Sequence, residues 1–186
     1  CRAGTSVEDL HEGRGRRENV VVRREEGLQE RAPDRRLRHG RRTQQRVGAC
    51  RSCGIEGRLD AFLERVQSDL FRVGAELASA EGAAPGNLAP VGGADVSFIE
   101  SEIDRLDADL EPLRNFILPG GTQAASAAHI ARSICRRAER TVVELSEKET
   151  VRGDIVVYLN RLSDALFVAA RWINAAAGTP ERAWKS

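Results

Sequence analysis

The sequence predicts an all-α protein built as an antiparallel helical bundle. From residue 57 onward, apolar residues recur at spacings of three and four, which is the period of an amphipathic helix. No segment shows the strict alternation that marks a half-buried strand. The connections between the periodic segments are short, which favours helices that pack antiparallel to their neighbours. A chain of 186 residues is expected to form one domain around one core.

Four helices are readable, and the first two lie before residue 111. The first carries the apolar stripe Leu59, Leu63, Val66, Leu70, Val73 and Leu77. A segment rich in Gly, Pro and Ala follows over residues 80–94 and predicts a loop. Ser97 and Glu100 have the spacing of a capping box and predict the start of the second helix. That helix continues through Ile99, Ile103, Leu106 and Leu110.

The third and fourth helices follow the turn-like segment LPGG at residues 118–121. Thr122 is expected to cap the third helix. Its core face consists mostly of small residues, namely Ala124, Ala128, Ala131, Cys135, Ala138, Val142 and Leu145. The fourth helix carries Ile155, Leu159, Leu162, Leu166, Ala169 and Ile173. Gly178 and Pro180 predict its end.

Charge and hydropathy narrow the class of partner. The 29 basic and 28 acidic residues leave a formal charge of +1, so no global field attracts nucleic acid or an anionic membrane. No apolar run approaches the roughly 20 residues that span a bilayer. We therefore expect a soluble cytoplasmic protein with no membrane and no nucleic-acid partner. The four cysteines, without a disulfide-rich spacing, agree with a reducing compartment.

Residues 1–53 follow different rules from residues 54–186. The first segment has little apolar period and an excess of arginine, and it is predicted to be an aberrant, disordered region before the bundle domain. Its basic stretch Arg35–Arg46 leaves open a nucleic-acid-binding arm. Cys50 and Cys53 form a CxxC pair, but no second ligand pair stands near them, so no metal site is predicted.

The candidate chemistry lies on the third and fourth helices. Arg132 and Arg136 stand one turn apart, and two guanidinium groups at that spacing suit a polyphosphate or a pair of carboxylates. Arg137, Glu139 and Arg140 extend this cluster. The alternative is a solvated face held by salt bridges.

Asn160 and Asp164 are also one turn apart and face the arginine pair if the two helices pack antiparallel. In the alternative, Asp164 only neutralises an arginine. The glycine pair before Thr122 could hold an anion at a helix N-terminus, although such a pair is more often only a turn. His129 is expected to be packed rather than to act as a ligand.

Two long stretches carry a resemblance to a known family. FILPGGTQAASAAHIARSICRRAER, followed by YLNRLSDALFVAARWIN, resembles the PduO-type ATP:cob(I)alamin adenosyltransferases in residue identity, order and separation. Together with QSDLFRVGAEL, the resemblance covers most of residues 54–184. It implies a five-helix bundle that assembles as a homotrimer with sites between subunits. It also implies the substrates ATP and cob(I)alamin, with Mg²⁺.

The resemblance also implies roles for individual residues. Phe116 and Arg132 would be the catalytic and corrinoid-binding residues, with Phe116 pressing on the lower face of the corrin. Arg132 would normally pair with an Asp in a family segment of the type YGTVDELN. Asp164 would support the site. The ATP contacts would be Arg136, Arg137, Glu139 and Asn160.

The resemblance fails over residues 1–53, where neither the ATP-holding loop nor YGTVDELN is present. Read one base later, codons for Arg41–Gln45 permit Asp-Glu-Leu-Asn, and the shifted frame permits family-like sequence from Glu8 to about Cys50. We therefore predict that residues 1 to about 50 are an out-of-frame translation, a frameshift. Activity of the printed chain is expected to be impaired. The alternatives are a non-catalytic corrinoid-binding bundle or a helical protein with a nucleic-acid-binding arm.

Overall fold

The computed structural model describes residues 32–55, 57–79 and 88–184, with side chains described from Gly40 onward. Within these ranges the chain forms five helices, which confirms the predicted helical bundle. They are α1 (Ala32–Arg51), α2 (Gly57–Ala78), α3 (Gly93–Asp107), α4 (Gln123–Ser146) and α5 (Gly153–Ala176). In this part of the chain, β structure is limited to an isolated bridge between Ile117 and Ala183.

The helices pack around one core, and α1, α4 and α5 each contact two other helices. α1 contacts α2 and α4, while α5 contacts α4 and α3. The short connections between α1 and α2 and between α4 and α5 make these pairs antiparallel. The small residues of α4, including Ala128 and Ala131, are fully buried and let its neighbours approach closely. The largest fully buried side chains of α5 are Tyr158, Ile155, Leu159, Leu162 and Leu166.

Helix α1 corrects the prediction that residues 1–53 lack structure, because Ala32–Arg51 is helical. Its buried positions Gly40, Thr43, Val47 and Cys50 fall at spacings of three and four. A search for large apolar residues misses this stripe because three of the four side chains are small or polar. Residues 1–31, which make up the rest of the predicted disordered segment, lie outside the described residues.

Polar contacts fasten α1 to its neighbours. Arg51 donates to Asp60 from both Nε (2.6 Å) and Nη2 (2.9 Å) and to Gln67 from Nη1 (3.0 Å). The Gln44 side chain donates to the backbone oxygen of Gln67 at 3.0 Å. The Cys50 thiol donates to the backbone oxygen of Ala124 at 3.3 Å. These contacts connect α1 to both α2 and the first turn of α4.

The two cysteines of the CxxC pair are free thiols. Burial, with a smaller contribution from Cys53, raises the pKa of Cys50 to about 12. Cys53 donates to the backbone oxygen of Ala49. Within the described ranges no three His, Cys, Asp or Glu side chains are grouped as metal ligands.

Helix α3 starts earlier than predicted, at Gly93 rather than at Ser97. The cap is made by Asp95, whose carboxylate accepts from the backbone N–H of Gly92 at 3.0 Å. The same carboxylate accepts from Arg65 and Arg72, both on α2. The Ser97 and Glu100 pair therefore has capping spacing but lies inside the helix.

A cluster of hydrogen-bonded polar side chains joins three helices. The Tyr158 hydroxyl of α5 donates to Asp69 of α2 at 3.1 Å. Arg72 donates to both Asp69 and Asp95 at 2.6 Å, so it links α2 to α3. Both buried carboxylates, Asp69 and Asp95, have Arg72 as a cationic partner, so the cluster helps to fix how these helices pair. No helix among the described residues has the length and apolar character needed to cross a membrane.

Candidate active site

A cavity of about 770 Å³ opens where the segment between α3 and α4 meets α4, α5 and the end of the described chain. Its volume lies within the range typical of small-molecule sites. The wall combines aromatic and apolar side chains with a few polar groups. The lining residues are Leu113, Arg114, Asn115, Phe116, Ile117, Pro119, His129, Arg132, Phe167 and Trp184.

Phe116 stands at this cavity with 82% of its surface exposed. Its backbone is held by the last described residues, since the Trp184 N–H donates to the Phe116 carbonyl at 2.7 Å. Next to it, the Leu118 N–H donates to the Arg182 carbonyl at 2.8 Å, which forms the bridge between Ile117 and Ala183. The ring is therefore free at its face while its backbone is fixed.

Arg132 enters the same cavity from α4. Its guanidinium carbon lies 5.1 Å from the centre of the Phe167 ring on α5, a cation–π contact. Its Nε is buried and has no hydrogen-bond partner among the described residues. A buried donor without an acceptor is unfavourable, so this position favours an additional acceptor in the cavity.

His129, one turn before Arg132, is buried with its ring centre 6.1 Å from that of Phe167. The prediction of a packed histidine agrees with this position. Burial lowers the pKa of His129, the positive charge of Arg132 lowers it further, and Glu181 acts in the opposite direction. The imidazole is therefore neutral at pH 7 and adds a polar but uncharged group to the cavity.

The turn before α4 is shaped by Asn174 of α5. Its Oδ1 accepts from the Thr122 N–H at 3.0 Å and its Nδ2 donates to the Gly120 carbonyl at 2.9 Å. Thr122 caps α4 as predicted, accepting from the Ala125 N–H at 3.1 Å. Gly121 has φ of +103°, a conformation that favours glycine. These contacts support the simpler interpretation of the glycine pair as a turn.

A second polar cluster lies between α4 and α5. Arg136 donates to Glu139 at 2.7 Å, and Asn160 donates to the other oxygen of the same carboxylate at 3.0 Å. Asn160 of α5 was expected to face the arginines of α4. The structure brings Asn160 and Arg136 together because both donate to Glu139. This carboxylate fixes the orientation of one guanidinium group and one carboxamide together.

Asp164 and Arg137 depart from that predicted cluster. Asp164 pairs with Arg161 of its own helix at 3.2 Å, and Arg161 also pairs with Glu100 of α3 at 3.1 Å. One turn of α5 thus satisfies Asp164 locally, and it does not join the arginines of α4. Arg137 is exposed and lies against α1.

The family profile described as cobalamin adenosyltransferase matches residues 43–173. The chain belongs to the cobalamin adenosyltransferase family. The match includes the end of α1 and every residue of the Arg136, Glu139 and Asn160 cluster. It stops short of Trp184, which lies in the described part of the chain beyond the matched range.

Sequence relatives agree with this membership. The chain is 45% identical over 120 residues to the corrinoid adenosyltransferase of Bacillus subtilis, covering 64% of this chain and 61% of that protein. It is 41% identical over 125 residues to the corrinoid adenosyltransferase PduO of Salmonella typhimurium, covering 67% of this chain and 37% of that protein. The matched parts are thus less than two thirds of the length of these two relatives.

The fold agrees as well. A variant PduO-type ATP:corrinoid adenosyltransferase from Lactobacillus reuteri, complexed with cobalamin and ATP, superposes with a TM-score of 0.78 at 31% identity. The match covers 84% of this chain and 88% of that one.

Three residues of the site were not singled out from the sequence. Phe167 lies next to the predicted core position Leu166, and Asn174 lies in the last turn of α5, so neither has a sequence pattern that marks a site. Trp184 lies beyond the last helix, where helical periodicity carries no information. A large aromatic residue in an otherwise polar terminal segment was the one available signal for Trp184.

Proposed function

We propose that this protein transfers the 5′-deoxyadenosyl group of ATP to the cobalt of cob(I)alamin, giving adenosylcobalamin and triphosphate. One observation supports this proposal most directly. In a chain of this family, the cavity that holds Phe116 and Arg132 lies next to the cluster of Arg136, Glu139 and Asn160. The Lactobacillus reuteri relative of the same fold is complexed with cobalamin and ATP.

The corrinoid would occupy the 770 Å³ cavity. A corrin ring is flat and apolar at its faces, and the exposed rings of Phe116 and Trp184 offer it apolar surface. Phe116 would lie against the lower face and keep the lower axial ligand away from cobalt. Its fixed backbone would hold the ring in place for this task.

Arg132 would interact with the edge of the corrin. Corrins carry amide side chains whose carbonyl oxygens accept hydrogen bonds, and the Nε of Arg132 lacks an acceptor among the described residues. The neutral His129 beside it avoids a second positive charge in the cavity. Together they orient the substrate without repelling it.

ATP would bind at the polar cluster of Arg136, Glu139 and Asn160. The resemblance implies a further ATP contact from Arg137, which lies outside this cluster. Cobalt(I) attacks the 5′ carbon, and the bond from that carbon to the triphosphate oxygen breaks. The chain would contribute positioning and stabilisation of the negative charge on the departing triphosphate. Glu139 orients Arg136 for this role through their 2.7 Å hydrogen bond.

Mg²⁺ would be bound chiefly through the triphosphate. No group of three His, Cys, Asp or Glu side chains within the described residues offers a dedicated site. This arrangement is usual for Mg²⁺, which commonly binds substrate phosphates and few protein ligands. We further propose a cytoplasmic homotrimer with active sites between subunits, as the family resemblance implies.

A second candidate is a non-catalytic bundle that binds corrinoid but transfers nothing. The YGTVDELN segment, which would supply an Asp partner to Arg132, is absent from residues 1–53, and this favours the alternative. The expected ATP-holding loop is also missing from residues 1–53. We propose that residues 1 to about 50 are translated out of frame, and sequencing of the DNA across codons 1–55 tests this directly.

An anaerobic assay separates the two functions. The purified protein is mixed with ATP, Mg²⁺ and chemically reduced cob(I)alamin, and adenosylcobalamin is measured by its absorption spectrum. Binding of cob(II)alamin without ATP is measured in parallel. Product formation supports the transferase, binding without product supports the non-catalytic bundle, and the absence of both contradicts either function.

A further inference from the structure

Two segments outside the helices present the exposed aromatic rings of the cavity. Residues 108–122 connect α3 to α4 and carry Phe116, while residues 177–184 follow α5 and carry Trp184. Every residue from 111 to 116 and from 180 to 184 is exposed. Burial therefore does little to fix these segments, and their positions depend on hydrogen bonds.

Arg171, in the last two turns of α5, bonds to both segments. It donates to the Glu181 carboxylate from Nε at 2.9 Å and from Nη2 at 3.4 Å. Its Nη2 also donates to the backbone oxygen of Glu111 at 2.7 Å. Its Nη1 lies 3.6 Å from Oδ1 of Asp107 at the end of α3. One guanidinium group thus joins the segment before α4 to the segment after α5.

The Arg171 side chain is buried, with 5% of its surface exposed. A buried guanidinium group is unfavourable unless acceptors surround it, and here the closest acceptors come from the two exposed segments. Phe167, one turn earlier on α5, lines the cavity and contacts Arg132. Arg171 therefore couples the two segments to the same helix that forms one wall of the cavity.

The backbone connects the partners of Arg171 to the cavity. Directly after Glu181, the Arg182 carbonyl accepts from the Leu118 N–H at 2.8 Å. The Trp184 N–H then donates to the Phe116 carbonyl at 2.7 Å. Arg171 itself does not line the cavity, so any influence on a bound substrate passes through these backbone contacts.

We propose that Arg171 is a positioning residue for adenosyl transfer. Through Glu181 and the carbonyl of Glu111, it holds Phe116 at the lower face of the corrinoid and Trp184 at the cavity wall. The inference rests on the proposed function and adds to it a residue that does not contact the substrate. A purely structural role would lower stability without any selective effect on the lower axial ligand.

Hydrogen exchange of the full chain tests the positioning without substrate. The amide hydrogens of Leu118 and Trp184 are hydrogen-bonded in the parent. In Arg171→Gln and in Glu181→Gln, both amides should exchange about tenfold faster, because local opening of the exposed segments becomes easier. The Glu181 variant changes an exposed position, so it keeps the test valid if Arg171→Gln does not fold.

Arg152→Gln is the matched control. Arg152 lies at the opposite end of α5 and pairs with the buried Glu76 at 3.1 Å, so its loss also leaves a buried acidic group without its partner. The exchange of the Leu118 and Trp184 amides should match the parent in this variant. Equal acceleration in Arg152→Gln would overturn the proposal.

The functional test compares cobalamin with cobinamide, a corrinoid that lacks the lower base. Both are supplied in the cobalt(II) form under reducing conditions at pH 8, where His129 is neutral because its pKa is below 6.5. Arg171→Gln and Glu181→Gln should slow transfer to cobalamin about tenfold, the effect of one lost charge-assisted hydrogen bond, with an unchanged KM for ATP. Cobinamide should be affected far less, because it has no base to keep off cobalt.

Electron paramagnetic resonance of bound cob(II)alamin, with ATP present, reports the lower ligand directly. In the two variants the spectrum should show the nitrogen splitting of a coordinated base more strongly than in the parent. Equal slowing with both corrinoids, or the parent spectrum in both variants, would overturn the role of Arg171.

These outcomes separate the inference from the proposed function. If the parent binds cob(II)alamin but forms no adenosylcobalamin, the transferase is contradicted, and the spectrum with the hydrogen exchange still decides the role of Arg171. If the parent is active but both variants keep the parent spectrum, only the role of Arg171 is overturned. A parent that binds no corrinoid would overturn both.

Discussion

Phe116 is a large apolar side chain that the chain leaves 82% exposed while fixing its backbone. Because the ring packs against little else, Phe116→Ala should leave the melting temperature almost unchanged. If the ring keeps the lower ligand off cobalt, the same change should lower the rate of adenosyl transfer from cob(II)alamin under reducing conditions by at least about tenfold, or ~1.4 kcal/mol. Comparing this rate with the rate from preformed cob(I)alamin checks the role.

Leu118 provides the control, since it is also exposed and lies on the same segment but does not line the cavity that holds Phe116 and Arg132. Leu118→Ala should have little effect on either rate. A Phe116→Ala protein with the parent rate would contradict the proposed role.

Gly121 is required by geometry rather than chemistry. Its φ is +103°, and a Cβ there would lie 2.2 Å from Oδ1 of Asn174. Gly121→Ala should therefore lower the free energy of unfolding by about 2 kcal/mol or more, from backbone strain and disturbed Asn174 contacts. Urea denaturation followed by circular dichroism measures the loss.

Gly120→Ala is the matched control for this prediction, because nothing lies within 4 Å of a Cβ at Gly120. Its stability should stay close to that of the parent. Equal stability of the two variants would show that Asn174 does not clamp the turn.

His129 should make the protein sensitive to mild acid. Its pKa is lowered from the ordinary 6.5 by burial and by Arg132, so the unfolded chain takes up a proton at a higher pH than the folded one. The unfolded state then binds more protons, and the free energy of unfolding falls as the pH drops below about 6.5. His129→Gln should make the melting temperature less dependent on pH in this range. A parallel pH profile for the variant and the parent would exclude the histidine as the cause.

Spacing on a single helix can be read from sequence, but contact between helices cannot. The pairing of Arg136 with Glu139 follows from their separation by three residues on α4. The local pairing of Asp164 with Arg161 has the same spacing, yet a partner on α4 was expected. Sequence alone does not decide between these partners, because the choice depends on the rotation of α5 about its axis.

At the scale of elements, Arg51 fastens α1 to α2. Arg51→Ala removes hydrogen bonds to Asp60 and Gln67 and should lower the melting temperature by several degrees. Arg41→Ala, on the exposed side of the same helix, should change it little. Differential scanning calorimetry of both proteins measures the difference. If the two variants melt like the parent, α1 does not pack stably on the bundle.

The helices differ in how far their sequences reveal them. α2, α4 and α5 were readable because each has a continuous apolar or small-residue face over several turns. The start of α3 was misplaced because Asp95 also serves as an acceptor for Arg65 and Arg72, and cross-helix pairing is invisible in sequence. The sequence pattern does not predict α1 as a helix, because its buried face consists of Gly, Thr, Val and Cys rather than large apolar residues.

At the scale of the whole molecule, several exposed apolar side chains are consistent with association of copies of this chain. Phe71 is 62% exposed, and Ile130 and Val157 are nearly half exposed on α4 and α5. Exposed apolar residues mark an interface where they form a contiguous patch. We expect a trimer, so sedimentation equilibrium should give three times the chain mass of 20.4 kDa. A monomer at micromolar concentration would remove the proposed intersubunit site.

The bridge between Ile117 and Ala183 ties the end of the described chain to the segment that presents Phe116. Trp184 is both a wall residue of the cavity and a backbone donor to Phe116. A bulky label coupled to the chain at position 184 would therefore obstruct the cavity and disturb the segment that presents Phe116.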